Sequence, residues 1–208
     1  MTDVATGEDR HGRGRLILVR HGETDWSRTN RHTGRTDISL TEHGERQARA
    51  LTGQLAHLRL AQVLVSPRQR ARRTAELAGL SDVTVEEDLA EWDYGDYEGL
   101  TRDEIRAHDP QWTVWTGTTP GGETVEQVSA RAERVVHRLD RHLDNGDVLV
   151  VSHGHFGRVL ATTWLKFPVT AGAALHMEPA AACVLGDDRG QPVIQRWNQP
   201  NPANTEPG

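Results

Sequence analysis

Cysteine, lysine and long apolar runs are all scarce in this chain. One of its 208 residues is a cysteine, Cys183, so these residues can form no internal disulfide and no cysteine cluster for a metal. Cys183 falls in the apolar stretch 180–185, which predicts a packed core position. Lys166 is the only lysine, so arginine carries nearly all the positive charge. Arginine is the side chain suited to a two-pronged grip on phosphate. No apolar run approaches the length of a membrane span. Residues 1–14 are polar and lack the apolar middle of a signal peptide, and the expectation is a cytoplasmic protein. With 24 Lys+Arg against 30 Asp+Glu, the formal charge is −6. That argues against nucleic acid or an anionic membrane as the main partner.

The length suits one α/β domain with a proper core. The expected division is a flexible tail at 1–14, a folded domain at 15–198 and a flexible, turn-rich tail at 199–208. Patterning predicts strands at 15–20, 62–66, 83–86, 147–152, 180–186 and 192–197. It predicts helices at 41–57, 67–79, 101–108, 124–144 and 154–166. In the fourth helix Val125, Val128, Ala132, Val135, Val136, Leu139 and Leu143 recur at helical spacing, with charges between them. Strands alternating with helices predict a mostly parallel sheet covered on both faces.

Three predicted strand ends carry polar, ionisable groups, and open α/β sheets bind ligands at such ends. The run Leu16-Ile17-Leu18-Val19 leads into Arg20-His21-Gly22-Glu23-Thr24. There the arginine can fork onto an oxyanion and a neutral imidazole can attack phosphorus. Val63-Leu64-Val65 leads into Ser66-Pro67-Arg68-Gln69-Arg70-Ala71-Arg72-Arg73. Ser66 and Pro67 suit a helix start. Residues 70 and 72 point about 200° apart on a helix, so they cannot both face one pocket. Val148–Val151 leads into Ser152-His153-Gly154-His155. A helix opening near Gly154 would add backbone donors and a favourable dipole. Between these lies Leu89-Ala90-Glu91-Trp92-Asp93-Tyr94-Gly95-Asp96-Tyr97-Glu98-Gly99. Its aromatic residues would desolvate a carboxyl group and keep it protonated near neutral pH.

Taken in order over residues 15–165, these four motifs resemble the histidine phosphatase superfamily, which includes phosphoglycerate mutases and many phosphatases. The resemblance implies a three-layer α/β/α fold with a mostly parallel central sheet, phosphoglycerate mutase-like. It implies that His21 is the nucleophile, that Glu91 is the general acid, and that Arg20, Arg70 and His153 hold the phosphoryl oxygens. Arg70 matches the superfamily's phosphate arginine, which leaves Arg72 out. Asn30-Arg31-His32-Thr33-Gly34 resembles the substrate-side loop, adding Thr33 and Gly34. Ser27 stands where relatives often place an asparagine near the phosphate, and Gly154 follows the second histidine. Pro120-Gly121-Gly122-Glu123-Thr124 resembles a motif at the pocket rim.

The mechanism implied is two-step transfer through a phosphohistidine, with no cofactor and no metal. The two arginines should depress the pKa of His21. A small-molecule phosphate ester is the implied substrate, and a homodimer is left open. The mutases of this group carry a longer insertion where this chain has only residues 100–122, and a shorter lid admits water. A phosphatase on sugar-like phosphates therefore ranks first and a phosphoglycerate mutase second. A non-catalytic binding module would have lost the nucleophile or the acid, and both are present.

Overall fold

A computed structural model describes residues 13–204. Its six-stranded sheet has the order β3-β2-β4-β1-β5-β6. The strands are β1 Leu16–Arg20, β2 Leu60–Val65, β3 Val83–Val85, β4 Asp147–Ser152, β5 Ala182–Asp188 and β6 Gln191–Gln199. The helices are α1 Asp25–Arg28, α2 Glu42–Leu55, α3 Gln69–Leu77, α4 Arg102–Arg106, α5 Val125–Asp140 and α6 Gly154–Trp164. Strands β1 to β4 are parallel, as expected; β5 and β6 run antiparallel on one side. Arg189 and Gly190 both have positive φ between β5 and β6, the two-residue hairpin turn that returns a strand antiparallel to itself.

Side chains alternate across the central strands, and this splits the core in two. Leu16, Leu18, Val148 and Val150 pack with Val128, Ala132, Val135 and Phe156 of α5 and α6. Ile17, Val19, Leu149 and Val151 pack with Leu51, Leu55, Ala71 and Ala75 of α2 and α3. Helices on both faces explain why these strands are apolar throughout.

The expected helix starts at 41, 101 and 124 fall one residue early. Thr41, Thr101 and Thr124 lie outside their helices, and each hydroxyl accepts the N–H three residues on. The expected run to 144 also ends sooner, at Asp140. Past it the bonds tighten to three-residue spacing, His142 N–H to the Leu139 carbonyl and Leu143 N–H to that of Asp140.

Both expected tails need correction where they are described. Arg13 pairs with Asp140, and the Gly14 N–H donates to the Leu143 carbonyl. At the other end Gln199 still belongs to β6, and Asn201 is buried. The Asn201 amide donates to the carbonyls of Gln47 and Ala180, a tertiary anchor that turn-rich composition does not reveal. Residues 1–12 and 205–208 of the expected tails lie outside the described residues.

Candidate active site

Strand order explains how distant motifs meet. Arg20 is in register with Ser152, and Val65 with Val151. The carboxyl ends of β1, β4 and β2 are therefore adjacent, and the next residues of each strand converge. The His21 N–H donates to the Ser152 carbonyl, and the Ser66 N–H to that of Val151.

His21 is buried, with Nδ1 2.7 Å from the Gly22 carbonyl. A carbonyl only accepts, so Nδ1 carries the proton and Nε2 keeps a lone pair. Burial pushes the His21 pKa well below its ordinary 6.5, with Arg70 and then Arg20 adding to the effect. The expected arginine contribution is real but second to desolvation.

His153 is also buried, with its ring 5.2 Å from that of His21 at 64°. Its Nε2 lies 2.6 Å from the Ser66 hydroxyl, whose oxygen also accepts the Arg68 N–H. If the hydroxyl donates to Nε2, Nδ1 holds the proton as a donor. Burial, then the Arg70 charge, holds the His153 pKa well below 6.5.

Arg70 is fully buried while Arg72 is exposed, which separates the two candidates left open by spacing. Buried positions 70, 71, 74 and 75 form the inner face of α3. The Arg70 guanidinium donates to the carbonyls of Thr33, Gly34 and Thr36. Arg20 donates through Nη1 to the Met177 carbonyl at 2.6 Å. A Cβ on Gly154 would come within 3.3 Å of the Arg20 guanidinium, so glycine gives that side chain its room.

Among the described residues, five buried side-chain atoms lack a hydrogen-bond partner in the protein. Four are nitrogens: Nε of Arg20, Nε of Arg70, Nδ1 of His153 and Nε of Arg68. Buried donors are normally satisfied. Such donors around a nucleophilic imidazole form an anion cradle suited to phosphoryl oxygens.

Glu91 is buried, and both its carboxylate oxygens are engaged. Oε1 accepts the N–H groups of Trp92 and Phe156, and Oε2 that of His155. The carboxylate caps α6, whose own N-cap residue, His153, makes no side-chain cap bond. The expected aromatic neighbours are there, Trp92 and Tyr94 both buried. Three backbone N–H groups point at the Glu91 oxygens, so the pocket around this side chain is polar as well as aromatic. Of the backbone donors at the opening of α6, those of residues 155 and 156 are taken up by Glu91.

The remaining expected contacts are rearranged. Ser27 lines the cleft, but its hydroxyl donates to the Thr24 carbonyl and accepts the Thr24 N–H in a capping box, so no donor remains for phosphate. Thr33 also lines the cleft, with its hydroxyl donated to the Arg31 carbonyl. The Gly34 N–H goes to both oxygens of Glu98. Thr33 and Gly34 reach the site through their carbonyls, which orient Arg70. The 120–124 motif grips the acid loop, the segment around Glu91 and Asp93: Glu123 accepts the Asp93 N–H and pairs with Arg131 at 2.7 Å.

Arg131 is a residue that sequence reasoning missed. Its guanidinium donates to the carbonyls of Asp88, Ala90 and Glu91 and lies 4.1 Å over the Phe156 ring. The signal was present: an arginine three residues after Val128, on the apolar stripe of α5. Around the reaction centre the cleft encloses about 530 Å³, lined also by Asn30, His32, Arg102, His155, Arg158 and His176. Among the described residues no group of His, Cys, Asp and Glu is placed to hold a metal ion. Among them, too, no helix is long and apolar enough to cross a membrane.

A histidine and an anion cradle at the carboxyl edge of an α/β sheet suit phosphoryl transfer. The sequence pattern of the histidine phosphatase superfamily, branch 1, matches residues 16–200, and the chain belongs to that superfamily. It is 46% identical over 178 residues to an acid phosphatase of Mycobacterium tuberculosis, covering 85% of this chain and 88% of that protein. It is 37% identical over 187 residues to sedoheptulose 1,7-bisphosphatase of Saccharomyces cerevisiae, covering 74% and 69%. The solved structure of an open reading frame product of M. tuberculosis superposes with a TM-score of 0.88 at 43% identity, covering 90% of this chain and 98% of that one. The chain is a phosphatase of this superfamily.

Proposed function

We propose that this cleft hydrolyses small, sugar-like phosphomonoesters with His21 as nucleophile. The observation that carries the reading is the His21 lone pair on Nε2, surrounded by buried, unpartnered nitrogens of Arg20, Arg70 and His153. In the first step Nε2 attacks phosphorus, the P–O bond to the alcohol breaks, and Glu91 delivers a proton to the leaving oxygen through Oε2, which carries a single hydrogen bond. Arg20, Arg70 and His153 stabilise the three equatorial oxygens in transit. In the second step water attacks the phosphohistidine while Glu91 accepts its proton, and inorganic phosphate leaves. The balance needs no metal and no redox partner. Acidic net charge and a polar cleft suit a small ester better than a nucleic acid or a membrane.

The test is a phosphate-release screen from pH 5 to 8 on sugar phosphates, nucleotides, an aryl phosphate and 3-phosphoglycerate, with mutase activity followed in parallel. Rapid release from a few sugar phosphates, reduced to background by His21→Ala, is the expected result. Efficient interconversion of 3- and 2-phosphoglycerate with little release, or silence in both assays, overturns it.

A further inference from the structure

Two histidines of the outer cleft wall take no part in the steps above. His32 comes from the loop before α2, and His155 from the first turn of α6. Both line the cleft, with rings nearly parallel at 10° and 6.0 Å apart. Tyr94 and Trp112 meet the His32 ring edge-on, and Tyr94 and Trp115 meet that of His155.

Each ring is held in one neutral tautomer by a different kind of partner. Nδ1 of His32 lies 2.8 Å from the Leu100 carbonyl. The carbonyl only accepts, so Nδ1 bears the proton and Nε2 is an acceptor. Nδ1 of His155 lies 2.6 Å from the Tyr94 hydroxyl. Tyr94 is buried, and burial lifts its pKa well above 10, so the phenol keeps its hydrogen. That hydrogen has His155 as its partner, and leaving it undonated in the core would be costly. Tyr94 therefore donates to Nδ1, and Nε2 of His155 bears the proton as a donor. Desolvation holds both imidazoles below their ordinary pKa, so each is neutral at pH 7.

We propose that His32 and His155 form an acceptor–donor pair that reads the hydroxyl groups of a polyhydroxy leaving group. A hydroxyl both donates and accepts, so neighbouring hydroxyls of a polyol satisfy both nitrogens. A group that only accepts, such as a carboxylate, meets a lone pair at His32. An aryl group satisfies neither nitrogen. The pair thus selects the alcohol, whereas the cradle selects the phosphoryl group. Tyr94 is a positioning residue that acts through His155. The proposal rests on the phosphatase reading of the same cleft and narrows its substrate class to phosphate esters of polyols.

The experiment measures kcat/KM for the best sugar phosphate from the screen and for p-nitrophenyl phosphate, in the wild type, His32→Phe and Tyr94→Phe. Phenylalanine leaves an aromatic ring at each position and removes the polar atoms. The sugar-to-aryl selectivity is expected to fall about tenfold in each variant. Nitrogen-15 spectra of histidine-labelled enzyme at pH 7 should show His32 protonated on Nδ1 and His155 on Nε2, and Tyr94→Phe should disturb the second assignment. Unchanged selectivity, even with both rates lowered, overturns the pair, as does finding the two rings in the same tautomer. Failure of His21→Ala to abolish hydrolysis of p-nitrophenyl phosphate would instead sink the enzymatic reading beneath it.

Discussion

The imidazoles of His21 and His153, 132 positions apart in sequence, meet edge to face with ring centres 5.2 Å apart. Their strands are hydrogen-bonded neighbours in register, so the two rings follow equivalent points of the backbone. The Gly22 carbonyl orients one and the Ser66 hydroxyl the other. One ring thereby offers a lone pair beside the buried, unpartnered Nδ1 of its neighbour.

Arg70→Ala should lower kcat/KM by about 10²–10³, the usual cost of losing one transition-state donor. Arg72→Ala should leave it within roughly twofold, because that side chain is exposed on the other face of α3. Steady-state kinetics on an aryl phosphate decide this, and reversed effects would mean the wrong face of α3 had been assigned to the site.

Glu91→Gln should slow alkyl phosphates by about 10²–10³ and an activated aryl phosphate much less, since only a poor leaving group needs its proton. The slope of log kcat/KM against leaving-group pKa should steepen in the variant. Equal losses across the series would remove Glu91 from the acid role and leave it as the cap of α6.

Arg131→Ala should destabilise the fold by roughly 3–5 kcal/mol, since it strips the partner from Glu123 and leaves three carbonyls of the acid loop without their donor. Activity should fall as well, because the backbone that carries Glu91 is then untethered. Urea unfolding gives the first quantity. A shift under 1 kcal/mol would show that the loop holds itself.

Stability should decline as pH falls below about 6.5. His21, His153 and His155 are all held well below that value by burial, so below it the unfolded chain binds more protons than the folded one. The stabilisation is complete above the unfolded pKa and is lost towards acid, at up to about 1.4 kcal/mol per histidine per pH unit. Thermal unfolding between pH 7 and 5 should show a falling Tm and net proton uptake. Burial keeps the His21 lone pair available below the pH at which a free imidazole protonates, so while the protein stays folded kcat/KM should fall later towards acid than a free imidazole would dictate.

Local pattern was enough to read the strands and helices, to place Arg20, His21, Glu91, Arg70 and His153 beside element ends, and to name the superfamily. Those features depend on side-chain period, turn residues and short motifs, all of which act over a few positions. What each expected contact does was decided only by packing. Ser27 spends its hydroxyl on Thr24, Gly34 spends its N–H on Glu98, and Glu91 closes a helix end. Hydrogen-bond capacity is finite, and partners tens of residues away consume it first. The same long-range pairing buries Arg131, anchors Asn201 and sets His32 and His155 in opposite tautomers. The sequence by itself determined which chemical groups this protein brings to a phosphate ester; the tertiary structure decided which of their lone pairs and protons are left to meet it.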